Sequence, residues 1–172
     1  MRAAAFSGAV GKSESEINKP ILPFATVADL SQKSLLMERQ IEIFFYGLFM
    51  DRDALRENGF RPTAARQARV DDFALRLGAR ATLVPDPGQC VHGMLMRLTH
   101  DELDRLYAEP SVAAYRPEPV IAKLANGESA AALCFNLPAA PDALESNPDY
   151  AAKLAAVARK LGLPEDYVRS IG

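Results

Sequence analysis

The stretch QIEIFFYGLFMDRDALRENG, residues 40–59, decides the fold. Its first part, IEIFFYG, is rich in β-branched and aromatic residues and ends at Gly47. That composition predicts a buried strand that breaks into a turn. The second part offers Asp51 as an N-cap and Gly59 as a stop, which predicts a short helix between them.

Working downstream, RQARVDDFALRLG (residues 66–78) reads as strand material with a bend near Asp71 and Asp72. ATLVPDPGQC (81–90) reads as a loop, punctuated by Pro85, Pro87 and Gly88. VHGMLMRL (91–98) returns to a strand. Thr99 followed by Glu102 forms a capping box, so HDELDRLYA becomes a helix that ends before Pro110. Residues 115–124 and 129–137 flank Asn126-Gly127, a strong hairpin signal. Asn147 and Pro148 open a helix running to about Leu161; Gly162 stops it, and Pro164 opens a last short one. Five or six strands with segregated helices define an α+β fold, a small mixed β-barrel or strongly curved sheet with flanking helices.

Upstream, residues 1–38 lack clear periodicity, and the expectation is a flexible leader followed by a single domain over 39–172. Arg2, Lys12, Lys19 and Lys33 balance Glu14, Glu16, Asp29 and Glu38, unlike a basic targeting or binding arm. GAVGKS, residues 8–13, superficially suggests a phosphate loop. It has two residues between its first glycine and Gly-Lys where that motif needs four, and no apolar strand run precedes it.

The 172 residues suit one buried core, and the net charge of −2 gives no electrostatic reason to expect nucleic acid or a membrane surface. No apolar run approaches the ~18 residues of a membrane-spanning helix. Cys90 and Cys134 read as free thiols of a reducing cytoplasm. Cys90 and His92 share a strand face, yet their spacing to His100 and Cys134 matches no common zinc pattern, so no metal is expected. A Cys-His nucleophilic pair has no local signature either.

Three features could carry chemistry. The strand leaving through Gly47 can aim successive backbone N–H groups into one concavity, although a bland turn has the same look. Glu109 ends a helix between Ala108 and Pro110. It is either a solvated carboxylate or, when enclosed by its apolar neighbours, a base with a raised pKa; the residue pattern leaves both open. Tyr115 offers a phenol that binds a ligand or simply packs. The helix with Leu154, Val157 and Leu161 packs on the sheet or serves a homodimer.

In order and spacing these segments resemble the gamma-glutamylcyclotransferase-like superfamily. Its Tyr-Gly-[Ser/Thr]-Leu turn is matched by Tyr46, Gly47, Leu48 and Phe49, and its Val-x-Gly-x-Leu strand by VHGML (91–95). Its helix, glutamate and downstream tyrosine are matched by LTHDELDRLYAEPSVAAY (98–115). The resemblance implies a small-molecule gamma-glutamyl substrate, no cofactor, and Glu109 as general acid/base for cyclisation to 5-oxoproline. Tyr46, Gly47, Leu48, Phe49 and Tyr115 would bind the substrate. Two departures stand out: Leu48 replaces the hydroxyl residue, and Pro110 stands where glycine is common. The rival reading is a non-catalytic ligand-binding or regulatory module on the same fold.

Overall fold

The computed structural model describes residues 39–142 and 144–171. The leader expected over residues 1–38, with its Gly-Lys stretch, lies outside the described residues.

Five strands close into a barrel in the order β1-β3-β2-β4-β5. They are β1 (Gln40–Phe45), β2 (Thr63–Leu77), β3 (Ala81–Thr99), β4 (Arg116–Leu124) and β5 (Ser129–Asn136). β1 lies antiparallel to β3, from Gln40 opposite Thr99 to Phe45 opposite Met94. The barrel closes through a parallel contact of β1 with β5, Ile43 opposite Leu133. Among the described residues four helices flank it: α1 (Arg52–Glu57), α2 (His100–Ala108), α3 (Pro148–Lys160) and α4 (Glu165–Ser170), with a 3-10 turn at Leu48–Met50.

The local signals explain most of these elements. Asp51 caps α1 by accepting from the Asp53 amide. Thr99 and Glu102 form the reciprocal capping box of α2. Asn147 caps α3, with Pro148 at its start. The Asn126-Gly127 turn joins β4 to β5, with Gly127 at φ 86. At Gly93 a Cβ would lie 2.2 Å from the Phe45 carbonyl. Only glycine lets β1 and β3 approach so closely there.

Residues 81–90, expected as a loop, are instead part of the 19-residue strand β3. The prolines are tolerated because the ladder is irregular there. Phe73 pairs with Pro85 and Asp71 with Cys90, leaving one residue of β2 against four of β3. Asp72 adopts φ 62 and accepts from the Gly88 amide at 3.0 Å. A bulge therefore absorbs the prolines that signalled a loop. It is also the bend expected near Asp71 and Asp72.

The core fills the barrel and the seams under the helices. Ile43, Phe44, Leu95 and Leu98 are fully buried strand residues. Leu103 and Leu106 turn α2 toward them, and Leu154 and Ala158 do so for α3. Val157 and Leu161 are partly buried against the same core. Among the described residues, no helix is long and apolar enough to cross a membrane.

Candidate functional site

A cavity of about 600 Å³ opens at one end of the barrel. Three connections build it. The first is the turn Tyr46–Phe49, where β1 stops and the 3-10 turn begins. The second is the tip of the β2-β3 hairpin at Ala79, Arg80 and Ala81, tightened by the Gly78 amide bonding the Arg80 carbonyl at 3.0 Å. The third is the segment from the end of α2 into β4, contributing Tyr107, Pro110, Ser111, Val112 and Tyr115. Phe44, Phe45 and Phe135 supply further apolar wall, and Tyr150 of α3 completes it.

Four of the lining side chains are phenols. The Tyr46 hydroxyl lies 2.5 Å from the Phe135 carbonyl and 2.8 Å from Oδ1 of Asn136. Burial drives its pKa well above the ordinary range, and the neighbouring Tyr115 adds to that. Tyr107 stacks on Phe135, ring centroids 3.6 Å apart and 9° between planes, and burial raises its pKa strongly too. Tyr115 donates to the Ala81 carbonyl at 2.5 Å and is pushed up to about 12, burial being the main cause. Tyr150 is raised by burial, with the Leu48 amide acting on the same oxygen in the opposite sense. All four phenols are therefore protonated near neutral pH and act as hydrogen-bonding groups, not as bases.

Arg80 is the one charged residue of the lining among the described residues. Its guanidinium donates to the Ser111 carbonyl at 3.0 Å and lies 6.0 Å from the centre of the Tyr115 ring. One connection of the mouth is thus held to another by a cation that keeps further donors free.

The residues singled out from the sequence are brought together in part. Tyr46, Gly47, Leu48, Phe49 and Tyr115 all line this one cavity. Glu109 does not: it caps the C-terminal end of α2, is exposed, and lies outside the lining. Its backbone carbonyl accepts from the Val112 and Ala113 amides, both at 2.9 Å, so it anchors the turn that carries Pro110, Ser111 and Val112 into the wall. Of the two readings left open for this carboxylate, the structure has the exposed one. The reason is local: α2 ends with Leu106 buried, and three residues further round the chain has left the helix and turned outward.

Arg80, Tyr107 and Tyr150 escaped sequence reasoning. Tyr107 had a signal, because it stands four residues after Leu103 on the inward face of α2. Arg80 had none beyond its place in a glycine turn. Tyr150 sits in the first turn of a helix distant in sequence; a Cβ at Gly47 would lie 3.0 Å from its hydroxyl. That closeness is legible only in three dimensions.

The other chemistry-bearing types lie elsewhere. Cys90 is exposed, with its sulfur 3.7 Å from Nε2 of His92, and Cys134 is buried. Among the described residues no three metal-ligating side chains gather.

The family described as gamma-glutamyl cyclotransferase, AIG2-like, matches residues 43–153. No curated protein matches the sequence. Among solved structures, a gamma-glutamyl cyclotransferase superposes with TM-score 0.65 at 19% identity, over 77% of this chain and 86% of its own. An uncharacterized protein from Homo sapiens gives 0.65 at 22%, over 78% and 87%. A yeast gamma-glutamyl cyclotransferase specific to glutathione gives 0.55 at 12%, over 77% and 93%. At these identities the structural likeness speaks to the fold.

Proposed function

The chain belongs to the AIG2-like gamma-glutamyl cyclotransferase family, and we propose that it binds a small gamma-glutamyl compound at the barrel mouth and cyclises it to 5-oxoproline. The observation that supports this reading is the single cavity shared by the Tyr46–Phe49 turn, Tyr115 and the segment that follows Glu109.

The chemistry asks little of the protein beyond positioning. A gamma-glutamyl amide carries its nucleophile, the α-amine, and its electrophile, the γ-carbonyl, in one molecule. Holding it folded makes the attack a proximity-assisted step. The α-ammonium loses a proton to Glu109, and its nitrogen bonds to the γ-carbon. The Gly47 and Phe49 N–H groups meet the oxyanion that develops, aided by the Tyr150 hydroxyl, on which the Leu48 amide acts. The new ring nitrogen gives up its second proton as the bond to the leaving nitrogen breaks, and both protons pass in turn by way of Glu109 to the departing amine, which leaves as its ammonium. Glu109 acts from the rim, its side chain turning toward the mouth over Pro110 once the ligand's ammonium draws it in. No cofactor takes part in this scheme.

A second reading, ligand binding without turnover, has its own support. No carboxylate lines the cavity among the described residues, and Leu48 leaves the turn without the family's side-chain hydroxyl. One experiment separates the two. 5-Oxoproline release is measured from a panel of gamma-glutamyl amino acids and amines, with calorimetric binding of each compound, for wild type and Glu109→Gln. Cyclisation predicts release that falls about a hundredfold or more in the variant while binding persists. Binding with no release from wild type selects the binding module.

A further inference from the structure

We propose that Cys90 and the groove beside it form a second site, separate from the barrel mouth, where the thiol exchanges with a small acidic disulfide and keeps one half of it as a mixed disulfide.

Strand register assembles this site. Asp71 of β2 stands opposite Cys90 of β3, Arg69 opposite His92, and Lys123 of β4 opposite Arg69. Residues opposite one another, like residues two apart on one strand, share a face. The alternate residues Val70, Val91 and Ala122 are buried in the core, so Cys90, His92, Arg69, Asp71 and Lys123 stand together on the outside of the barrel. A cavity of about 390 Å³ runs past Gln67, Arg69, His92 and Lys123 to Pro164, just ahead of α4. It shares no lining residue with the cavity at the barrel mouth.

The group has the chemistry of a thiol with a base. Cys90 is exposed, and its Sγ lies 3.7 Å from Nε2 of His92. Burial, and after it the Arg69 cation, hold the imidazole below its ordinary pKa against the opposing pull of Asp71. Near neutral pH the ring is therefore uncharged and able to accept the thiol proton.

Charge selects an acidic partner. Asp71 is shared by Arg69 at 3.0 Å and Lys123 at 2.6 Å, both cations being half-exposed. Two cations on one carboxylate leave one positive charge in surplus. Arg69 meets Asp71 most closely through Nε, so its terminal nitrogens are placed to meet a ligand carboxylate.

A further observation is independent of the thiol. Tyr167 of α4 is only 9% exposed, and its hydroxyl is buried without a hydrogen-bond partner among the described residues. Its ring lies against His92, centroids 5.1 Å apart, and the charge of Cys90 acts on its oxygen. An unpaired buried hydroxyl costs about 1–3 kcal/mol. The sulfur anion of the exchange supplies the acceptor this donor lacks.

The step balances with the disulfide as its only co-reactant. His92 takes the Cys90 proton as Sγ attacks one ligand sulfur, the ligand's S–S bond breaks, and the imidazolium gives the proton to the departing thiolate. The Cys90 sulfur is oxidised to a disulfide while one ligand sulfur is reduced to a thiol. Cys134 is fully buried, so it does not resolve the adduct, which stays until an external thiol removes it.

The test is intact-mass kinetics of the full chain at pH 7 with dithiodipropionate, hydroxyethyl disulfide and cystamine. Each rate is divided by that of the same reagent with N-acetylcysteine amide, which removes differences in leaving-group pKa. On that scale the dicarboxylate should react several-fold faster than the free thiol. It should also lead cystamine by about tenfold at low salt, the uncharged disulfide falling between, with the lead shrinking in high salt. Lys123→Gln removes the surplus charge and should cut the lead to about twofold or less. His92→Gln should slow all three reagents several-fold, within the about thirtyfold that separates an ordinary thiol at pH 7 from its thiolate, and keep their order. Cys90→Ser should take up no reagent, and thermal midpoints show each variant folded. Equal scaled rates for the dicarboxylate and cystamine in wild type overturn the proposal. So does a Cys90 no faster than the free thiol, uptake that survives Cys90→Ser, or a His92→Gln variant with unchanged rates.

Discussion

The Tyr46 hydroxyl stands 2.8 Å from Oδ1 of Asn136, tying the exit of β1 to the end of β5 inside the barrel. Asn136 also accepts from the Leu83 amide at 3.2 Å and donates from Nδ2 to Glu118 at 2.7 Å. One amide side chain, 2% exposed, thereby joins four strands or their ends under the cavity floor. Removing the phenol in Tyr46→Phe leaves Asn136 with its Leu83 partner and should cost about 1 kcal/mol. Asn136→Ala strands the buried Leu83 amide and removes the Tyr46 hydroxyl's side-chain acceptor together, and should cost about 2–3 kcal/mol. Urea unfolding of both variants checks the order; a costlier Tyr46→Phe would show that Asn136 is not the hub.

Glycines at two positions should respond differently to alanine. At Gly93 the added Cβ meets the Phe45 carbonyl at 2.2 Å and the Phe44 ring at 3.0 Å. The β1-β3 seam must open, at about 3 kcal/mol. At Gly88 the Cβ meets nothing within 4 Å, and only the backbone at φ +85 is strained, at about 1 kcal/mol. Thermal midpoints of Gly93→Ala and Gly88→Ala give the comparison, and near-equal losses would count against the close seam.

These two sites show why the sequence carried the fold further than the site. The fold rests on signals local in the chain: the apolar run before Gly47, the Thr99–Glu102 box, Asn126-Gly127, and Asn147 before Pro148. The reading failed where a local signal was overridden. Pro85, Pro87 and Gly88 spell a loop, but the bulge opposite Asp72 holds them in a strand. Barrel closure between β1 and β5 joins residues about ninety apart and leaves no local trace. The site is a meeting of such distant pieces. Tyr46 to Phe49 and Tyr115 were legible through short motifs. Glu109 was legible as a residue but not as a direction, because one turn of chain decides whether it faces in or out.

Asp51 is the charged residue whose titration should reach stability. It caps α1 and pairs with Lys160 at 2.7 Å, linking α1 to the last turn of α3. The Lys160 hydrogen bond comes first among the causes that hold the Asp51 carboxyl below its ordinary pKa. A depressed folded-state pKa stabilises the fold above the unfolded value of about 3.9, and the contribution is lost as pH falls through the lower folded value. Lys160 is raised, chiefly by the same bond, so its share is present below its unfolded pKa and disappears only in strong alkali. Asp51→Asn keeps a capping oxygen and removes the charge. Its thermal midpoint should sit below wild type at pH 7, with the gap closing at pH values under the folded pKa and narrowing in high salt. A gap independent of pH would mean that the cap, not the ion pair, carries the effect.

Tyr150 places a hydroxyl beside the Gly47 turn, where Leu48 has none. Its oxygen is placed 3.0 Å from a Cβ position at Gly47, and the Leu48 amide acts on it. A phenol that accepts from that amide keeps its own proton to donate to the ligand's carbonyl in the proposed pose. Tyr150→Phe should then weaken gamma-glutamyl binding about tenfold, the worth of one hydrogen bond in an enclosed site, while losing the Leu48 amide's partner costs about 1 kcal/mol of stability. Leu48→Ser in the Tyr150→Phe background returns a hydroxyl to the turn and should recover most of the affinity. The measurement is calorimetric binding of one gamma-glutamyl amide to wild type, single and double variants, beside their thermal midpoints. Lost stability with unchanged affinity would assign Tyr150 to packing alone. Lost affinity that Leu48→Ser does not recover would place its proton elsewhere than on the turn's ligand.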